Sequence, residues 1–164
     1  MQSKAKFIAR AAIIAALYAT ITYLQNAILP GSASWAIQFR VSEALCVLAF
    51  FTPSAIAGLS AGCLFFNLGM APALPFDAVI GTLATFLSCV LMYLTRRVKI
   101  KGYPLLGMLA PAVFNGLLLG WEFSFSVGGG FLLNASYVAL GEAAVVLLPG
   151  SFLHYALLSR RVQL

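Results

Sequence analysis

Few residues in this sequence could carry out chemistry, and the most informative of them is Glu142. It follows Gly141 inside an apolar run that extends over residues 137–148. A carboxylate about 12 Å inside an apolar segment is costly, and such groups usually face a cavity or a polar partner. The position therefore favours a functional carboxylate. A structural hydrogen bond to another helix is the alternative.

Two amides and a second carboxylate lie toward the same end of their own segments. Asn115 is about 9 Å deep and is expected to share a pocket with Glu142, although amides also hold helices together. Asn67 and Asp77 flank a loop at this end. Asp77 has a second interpretation, because aspartate commonly caps a helix N-terminus. These side chains form a candidate polar pocket.

Arg40, Glu43 and several aromatic residues are expected at this end as well. Arg40 and Glu43 are three positions apart, so they fit an ordinary i,i+3 ion pair as well as a ligand contact. Trp35, Trp121 and Tyr137 fit an interfacial aromatic belt. Their proximity to carboxylates and amides also suits a flat ring that is stacked on aromatic side chains and hydrogen-bonded at its edge.

The sequence contains no motif for catalysis, metal binding or nucleotide hydrolysis. His154 has no second histidine near it, and the cysteines at 46, 63 and 89 lie in apolar runs without a CxxC pair. A P-loop, HExxH and GxSxG are also absent from the sequence. We therefore expect no enzymatic activity, no cofactor, and no ATP hydrolysis by this chain.

The residues that must position these groups belong to a membrane protein. Apolar residues make up 62% of the 164 positions and charged residues 9%, against about half and a quarter in soluble domains. We expect one all-α transmembrane domain over residues 1–164, covered by lipid. The predicted spans are residues 7–28, 36–51, 54–68, 76–94, 103–121 and 134–158. The second and third are short for a core of about 30 Å.

Charge placement supports six spans. Nine of the ten basic residues fall on one side if residues 41–68 cross twice. The positive-inside rule makes that side, with both termini, cytoplasmic. The +6 net charge is therefore a signal of topology and not of nucleic acid binding. The acidic residues all lie in the opposite, outer half.

The first span carries small residues at four-residue spacing, namely Ala11, Ala15 and Ala19. Such spacing lets another helix approach closely. We interpret this face as a docking surface for a partner, with packing inside the chain as the alternative.

Two blocks of the sequence are distinctive: residues 38–45 read QFRVSEAL, and residues 50–56 read FFTPSAI. Both resemble the QueT family of queuosine-precursor transporters, and they are the most specific blocks of that resemblance. The similarity continues, in order along most of the chain, through NLG at 67–69, Asp77, GTLAT at 81–85, NG at 115–116 and GE at 141–142.

This resemblance implies a substrate-binding S component of an energy-coupling factor (ECF) importer in a bacterial cell membrane. It implies six helices and a ligand site near the outer face. It also implies three partners: a transmembrane coupling subunit and two cytoplasmic ATPases that hydrolyse the ATP. Residues carried over as ligand-binding are Gln38, Arg40, Glu43, Asn67, Asp77, Asn115, Trp121, Tyr137 and Glu142, and those for docking are Ala11, Ala15 and Ala19.

The chemistry of the expected ligand suits these residues. A 7-deazaguanine offers N1–H and a 2-amino group to a carboxylate, and a 6-oxo group to an amide. An aminomethyl substituent would add a cation for a second carboxylate. The alternatives are an S component for another vitamin or nucleobase, a solitary carrier, and, least favoured, a membrane enzyme.

Overall fold

The computed structural model describes residues 3–32, 39–69 and 76–160, and these residues are almost entirely helical. The elements in chain order are α1 (Lys4–Ile28), a 3₁₀ helix (Val41–Phe50), α2 (Ser54–Gly69), α3 (Asp77–Leu94), α4 (Leu105–Met108), α5 (Ala110–Ser126), α6 (Phe131–Val145), a π turn (Val146–Gly150) and α7 (Ser151–Ser159). The only β pairing among the described residues is the isolated bridge between Ile100 and Tyr103.

Four stretches of the described chain are long and apolar enough to cross a membrane: Lys4–Ile28, Asp77–Leu94, Leu105–Ser126 and Phe131–Ser159. Val41–Phe50 and Ser54–Gly69 are apolar but shorter. The predicted all-α fold is thus confirmed for the described residues, with four candidate membrane-spanning stretches. Six full crossings and cytoplasmic termini stay predictions.

Glycines let α1 and α2 pack in direct contact. A Cβ atom at Gly58 would lie 2.6 Å from the carbonyl oxygen of Ala11, and one at Gly62 would lie 2.8 Å from that of Ala15. The two helices run parallel, because a step of four residues along α2, from Gly58 to Gly62, matches a step of four residues in the same direction along α1, from Ala11 to Ala15. Ala15 is buried in this contact, whereas Ala11 and Ala19 are half-buried. Packing inside the chain, the alternative left open by the sequence, therefore accounts for Ala15; docking of a partner stays a prediction.

The second predicted span has an unexpected form. It was expected as a helix over 36–51, but the described helix begins at Val41 and is a 3₁₀ helix of ten residues. Such long 3₁₀ runs are uncommon. A rise of about 2.0 Å per residue gives it about 20 Å of length, against about 15 Å for ten α-helical residues. The tighter winding lets a short segment extend farther between the two ends of the molecule.

Small residues also join α5 to α6. Gly116 lies against Ala139 and Gly120 against Ala135, so the two helices run antiparallel. In this register Asn115 and Glu142 lie at nearly the same level, as the sequence predicted. Glu122 lies seven residues farther along α5, about 10 Å nearer the end of that helix.

The last predicted span, 134–158, is interrupted. A π turn over Val146–Gly150 contains Pro149 and separates α6 from α7. Proline lacks the amide hydrogen and its ring clashes with the carbonyl four residues earlier, so a regular α-helix cannot pass through it. The wider turn accommodates Pro149 immediately after the segment that carries Glu142.

Segments rich in basic residues meet at one end of the molecule. Tyr103 is hydrogen-bonded to Ser151, and the ring of Phe50 lies 5.2 Å from that of His154. A shallow groove there is lined by both Lys4 and Pro53. The arrangement agrees with the clustering of positive charge on one side that the sequence predicted.

Candidate functional site

Glu43 is a fully buried carboxylate whose two oxygens are already bonded. Tyr18 of α1 and Thr85 of α3 donate their hydroxyl hydrogens to Oε1, the latter at 3.4 Å. Cys46 donates its thiol hydrogen to Oε2 at 3.0 Å. In a 3₁₀ helix residues three apart are eclipsed, which explains why Cys46 lies on the same face as Glu43. Three elements thus hold this carboxylate in one place.

Arg40 is buried beside this group. One guanidinium nitrogen, Nη1, lies 3.5 Å from the Tyr18 hydroxyl and 3.5 Å from Sγ of Cys63. The guanidinium also lies over the ring of Phe66, 5.4 Å from its centroid, in cation–π geometry. Arg40 and Glu43 therefore share the hydroxyl of Tyr18, a link through α1 that the predicted i,i+3 pair did not include.

The C-terminal part of α1 anchors the segment that carries these charges. The side-chain amide of Gln25 makes two hydrogen bonds to this segment. Its Oε1 accepts from the backbone N–H of Val41 at 2.8 Å, and its Nε2 donates to the carbonyl of Phe39. The hydroxyl of Thr22 donates to Ser42 at 2.6 Å. Gln38, which is expected to contact ligand, and Trp35 lie outside the described residues.

Asn67 and Asp77 meet where α2 ends and α3 begins. The Asn67 amide donates to the backbone carbonyl of Asp77 at 3.0 Å. Phe76, and not Asp77, occupies the N-cap position, and the N-terminus of α3 has no side-chain cap bond. Oδ1 of Asp77 is buried and has no hydrogen-bond partner. The Asp77 side chain thus has an unused acceptor at the predicted site.

Glu142 and Asn115 are both buried, and each has an unused polar atom. Oε2 of Glu142 and the amide nitrogen of Asn115 have no hydrogen-bond partner. Glu142 lies within electrostatic range of Glu43 and Arg40, which places α6 beside the 3₁₀ helix. The structure thus brings Glu142, Glu43 and Arg40 together in one buried polar region.

Glu122 is a candidate site residue that sequence reasoning did not select. It is fully buried, and neither carboxylate oxygen makes a hydrogen bond of good geometry, although the backbone amide of Phe76 is nearby. It lies within electrostatic range of Asp77. Its place as one of only four acidic residues was the available signal.

Asp77 lies within electrostatic range of Arg40 and Glu122 within range of Asp77, and Asn115 is level with Glu142, so the buried polar region includes these three residues as well. Its unused atoms define what it can bind. Four buried carboxylate oxygens, on Asp77, Glu122 and Glu142, lack a donor among the described residues, while one buried amide nitrogen, on Asn115, lacks an acceptor there. Buried polar groups in folded proteins are normally hydrogen-bonded, and each exception needs an explanation. A molecule that presents several N–H donors and one acceptor would satisfy this set.

Comparison with protein-family models gives a match over residues 8–159, to the model described as QueT transporter. The chain belongs to the QueT family. The resemblance found in the sequence is confirmed, and the match covers the 3₁₀ helix and every element that carries the buried polar region.

Membership of the QueT family, together with the long apolar helices, makes this chain a membrane transport protein. Comparisons with curated proteins and with solved structures give no match.

Two aromatic residues expected to contact ligand in this QueT-family chain lie at its surface. Trp121 is 57% exposed and packs against Phe125, with ring centroids 5.0 Å apart. Tyr137 is 38% exposed. Neither makes a described contact with the buried polar region, and their positions match the alternative of an interfacial aromatic belt. Their ligand contact stays a prediction.

Proposed function

We propose that this chain is the substrate-binding S component of an ECF importer in a bacterial cell membrane, and that its substrate is a 7-deazaguanine precursor of queuosine. The observation that carries the proposal is the mismatch of unused atoms in the buried polar region: four acceptors against one donor. A 7-deazaguanine base is complementary, since it is rich in N–H donors and has one exocyclic oxygen acceptor.

The deeper part of the region fits the pyrimidine edge of such a base. Glu142 would accept from N1–H and the 2-amino group in a bidentate pair. Asn115, level with Glu142 on the antiparallel helix, would donate its unused N–H to the 6-oxo group. Both side chains are buried, so these hydrogen bonds would form away from competing water.

The shallower part fits a cationic substituent. Asp77 and Glu122 lie within electrostatic range of each other and have three unused oxygens between them. Glu122 is about 10 Å along α5 from Asn115. A primary ammonium there would satisfy both carboxylates, which favours a 7-aminomethyl over a 7-cyano substituent.

Arg40, Glu43 and Asn67 would form the frame of the site. Both oxygens of Glu43 already accept hydrogen bonds, and the amide of Asn67 already donates. Arg40 carries the positive charge that offsets part of the surrounding acidic charge. This assignment differs from the direct ligand contact expected from the sequence.

Partner subunits would supply the energy for uptake. The sequence contains no P-loop, so ATP would be hydrolysed by two cytoplasmic ATPases coupled through a transmembrane subunit. On α1, Ala12 and Ala16 are exposed and Ala11 and Ala19 are half-buried, so these alanines remain accessible to a partner helix.

Calorimetric titration of the purified chain tests the substrate directly. 7-Aminomethyl-7-deazaguanine should bind more tightly than 7-cyano-7-deazaguanine, and thiamin and riboflavin should not bind. Glu122→Gln should weaken the aminomethyl ligand and leave the cyano ligand unchanged, which separates the two parts of the site. Binding of thiamin or riboflavin, with no response to deazaguanines, would assign the chain to another vitamin.

A further inference from the structure

A second feature lies on the outside of the helices, toward the end of the molecule where basic segments meet. An apolar groove with a volume of about 300 Å³ runs between α1, the 3₁₀ helix and α7. Its walls include Ile13 and Leu17 of α1, Leu48 of the 3₁₀ helix and Leu157 of α7. The groove opens toward the surroundings of the protein, beside a helix long and apolar enough to cross a membrane.

A cation lies in this groove without a counter-ion. Arg10 lines it two turns into α1, about 9 Å beyond Lys4. Its side chain is half-buried, and Nη1 is enclosed with no hydrogen-bond partner. No acidic side chain of the described residues forms an ion pair with it. A guanidinium within a membrane segment needs an anion, because its charge is costly in hydrocarbon.

A second polar atom in the groove is also unused. Thr52 lies where the chain turns from the 3₁₀ helix into α2, and it is 1% exposed. Thr52 lines the same groove, and its enclosed hydroxyl has no hydrogen-bond partner among the described residues. A hydroxyl and a guanidinium together form a donor set that suits phosphate oxygens.

We propose that this groove binds an anionic phospholipid, whose phosphate pairs with Arg10 and Thr52 and whose acyl chain lies along Ile13, Leu17, Leu48 and Leu157. The positive charge of Arg10 is complementary to an anionic headgroup, and the apolar walls of the groove are complementary to an acyl chain. Basic pockets between membrane helices bind anionic headgroups in this way. The lipid would fill the space between α1 and α7 and supply the missing counter-ion.

The test uses the full chain purified in detergent, titrated with phosphatidylglycerol or phosphatidylcholine. Native mass spectrometry counts bound lipid, and the thermal unfolding midpoint reports stabilisation. Phosphatidylglycerol should bind about tenfold or more tightly than phosphatidylcholine, since both carry the phosphate but only phosphatidylcholine has a headgroup cation, which offsets the phosphate charge and is repelled by Arg10. Arg10→Met should abolish this preference. Arg97→Met, which removes an exposed cation from the basic loop, is the matched control and should retain it.

A second variant keeps the charge and closes the groove. Leu17 is exposed to the groove and can be enlarged with little effect on folding, so Leu17→Trp should weaken phosphatidylglycerol binding while Arg10 is intact. Equal binding of both lipids would overturn the proposal, as would a preference that survives Arg10→Met. Equal protection by inorganic phosphate would show an ion contact without a lipid site. Stabilisation that needs an added protein subunit would show that the counter-ion is a protein carboxylate.

Discussion

The hydroxyl of Tyr18 donates a hydrogen bond to Oε1 of Glu43, a residue 25 positions further along the chain on a neighbouring helix. Both residues are fully buried. This bond ties α1 to the 3₁₀ helix at the level of the polar region and lies next to Arg40. The carboxylate is thus held by the protein before any ligand arrives.

Removing the Tyr18 hydroxyl should therefore destabilise the protein. Tyr18→Phe deletes one hydrogen bond to a buried charged group, at a cost of about 1.5–3 kcal/mol. Thermal unfolding in detergent measures the loss. Tyr23→Phe is the matched control, because Tyr23 is 42% exposed and its hydroxyl makes only a long 3.4 Å contact with the carbonyl of Phe65. Equal effects of the two variants would contradict the structural role of Tyr18.

The contact between α1 and α2 should not tolerate a single added methyl group. In Gly62→Ala the new Cβ would lie 2.8 Å from both the Ala15 carbonyl oxygen and Cβ of Tyr18. Overpacking of this kind costs typically about 1–3 kcal/mol. Gly130→Ala, where nothing lies within 4 Å, is the control and should leave the unfolding midpoint nearly unchanged. Unaltered stability of Gly62→Ala would argue against the helix contact.

The class of fold could be predicted from the sequence because a surface that faces lipid requires a high content of apolar residues and a low content of charged ones. The buried level of Glu142 and Asn115 was also predictable, since both follow from counting residues along apolar segments. The 3₁₀ winding of Val41–Phe50 was not, because its apolar pattern differs little from that of an α-helix. It emerges only from packing against α1 and α3.

The sequence also could not predict which residues contact each other across the fold. Tyr18 has no pattern that marks it as the donor to Glu43, and Ala15 carries the same spacing signal whether its neighbour is α2 or another protein. Glu122 lies near a helix end in sequence yet is enclosed by the start of α3. Long-range contacts decide each of these cases.

Orientation in the membrane is open to a labelling experiment. Lys99→Cys places an exposed thiol in the basic loop, and the positive-inside rule predicts that it resists an impermeant thiol reagent in intact cells. The three native cysteines are fully buried, so the parent protein should give little background. Val127→Cys, at the opposite end, should label readily. Labelling of position 99 from outside would contradict the predicted orientation of the protein in the membrane.

Docking of a coupling subunit is expected on the exposed side of α1. Ala16→Trp should leave ligand binding intact and block assembly with the ATPase module and uptake, because a bulky side chain prevents close helix approach. Ala15→Trp should instead lower stability, since Ala15 is packed against Gly62. Ile28→Trp, exposed at the other end of α1, is the control. Normal assembly of the Ala16→Trp protein with the ATPase module would show that this face of α1 is not the docking surface.

The most direct test of the central claim is a double cycle on Glu142. Wild type and Glu142→Gln are titrated calorimetrically with 7-aminomethyl-7-deazaguanine and with its analogue lacking the 2-amino group. The substitution replaces an acceptor oxygen with a donor, so the affinity for the first ligand should fall roughly 10- to 150-fold, the equivalent of about 1.5–3 kcal/mol. The analogue should bind wild type weakly and be much less affected. Equal weakening of both ligands would contradict the pairing of Glu142 with the ring edge.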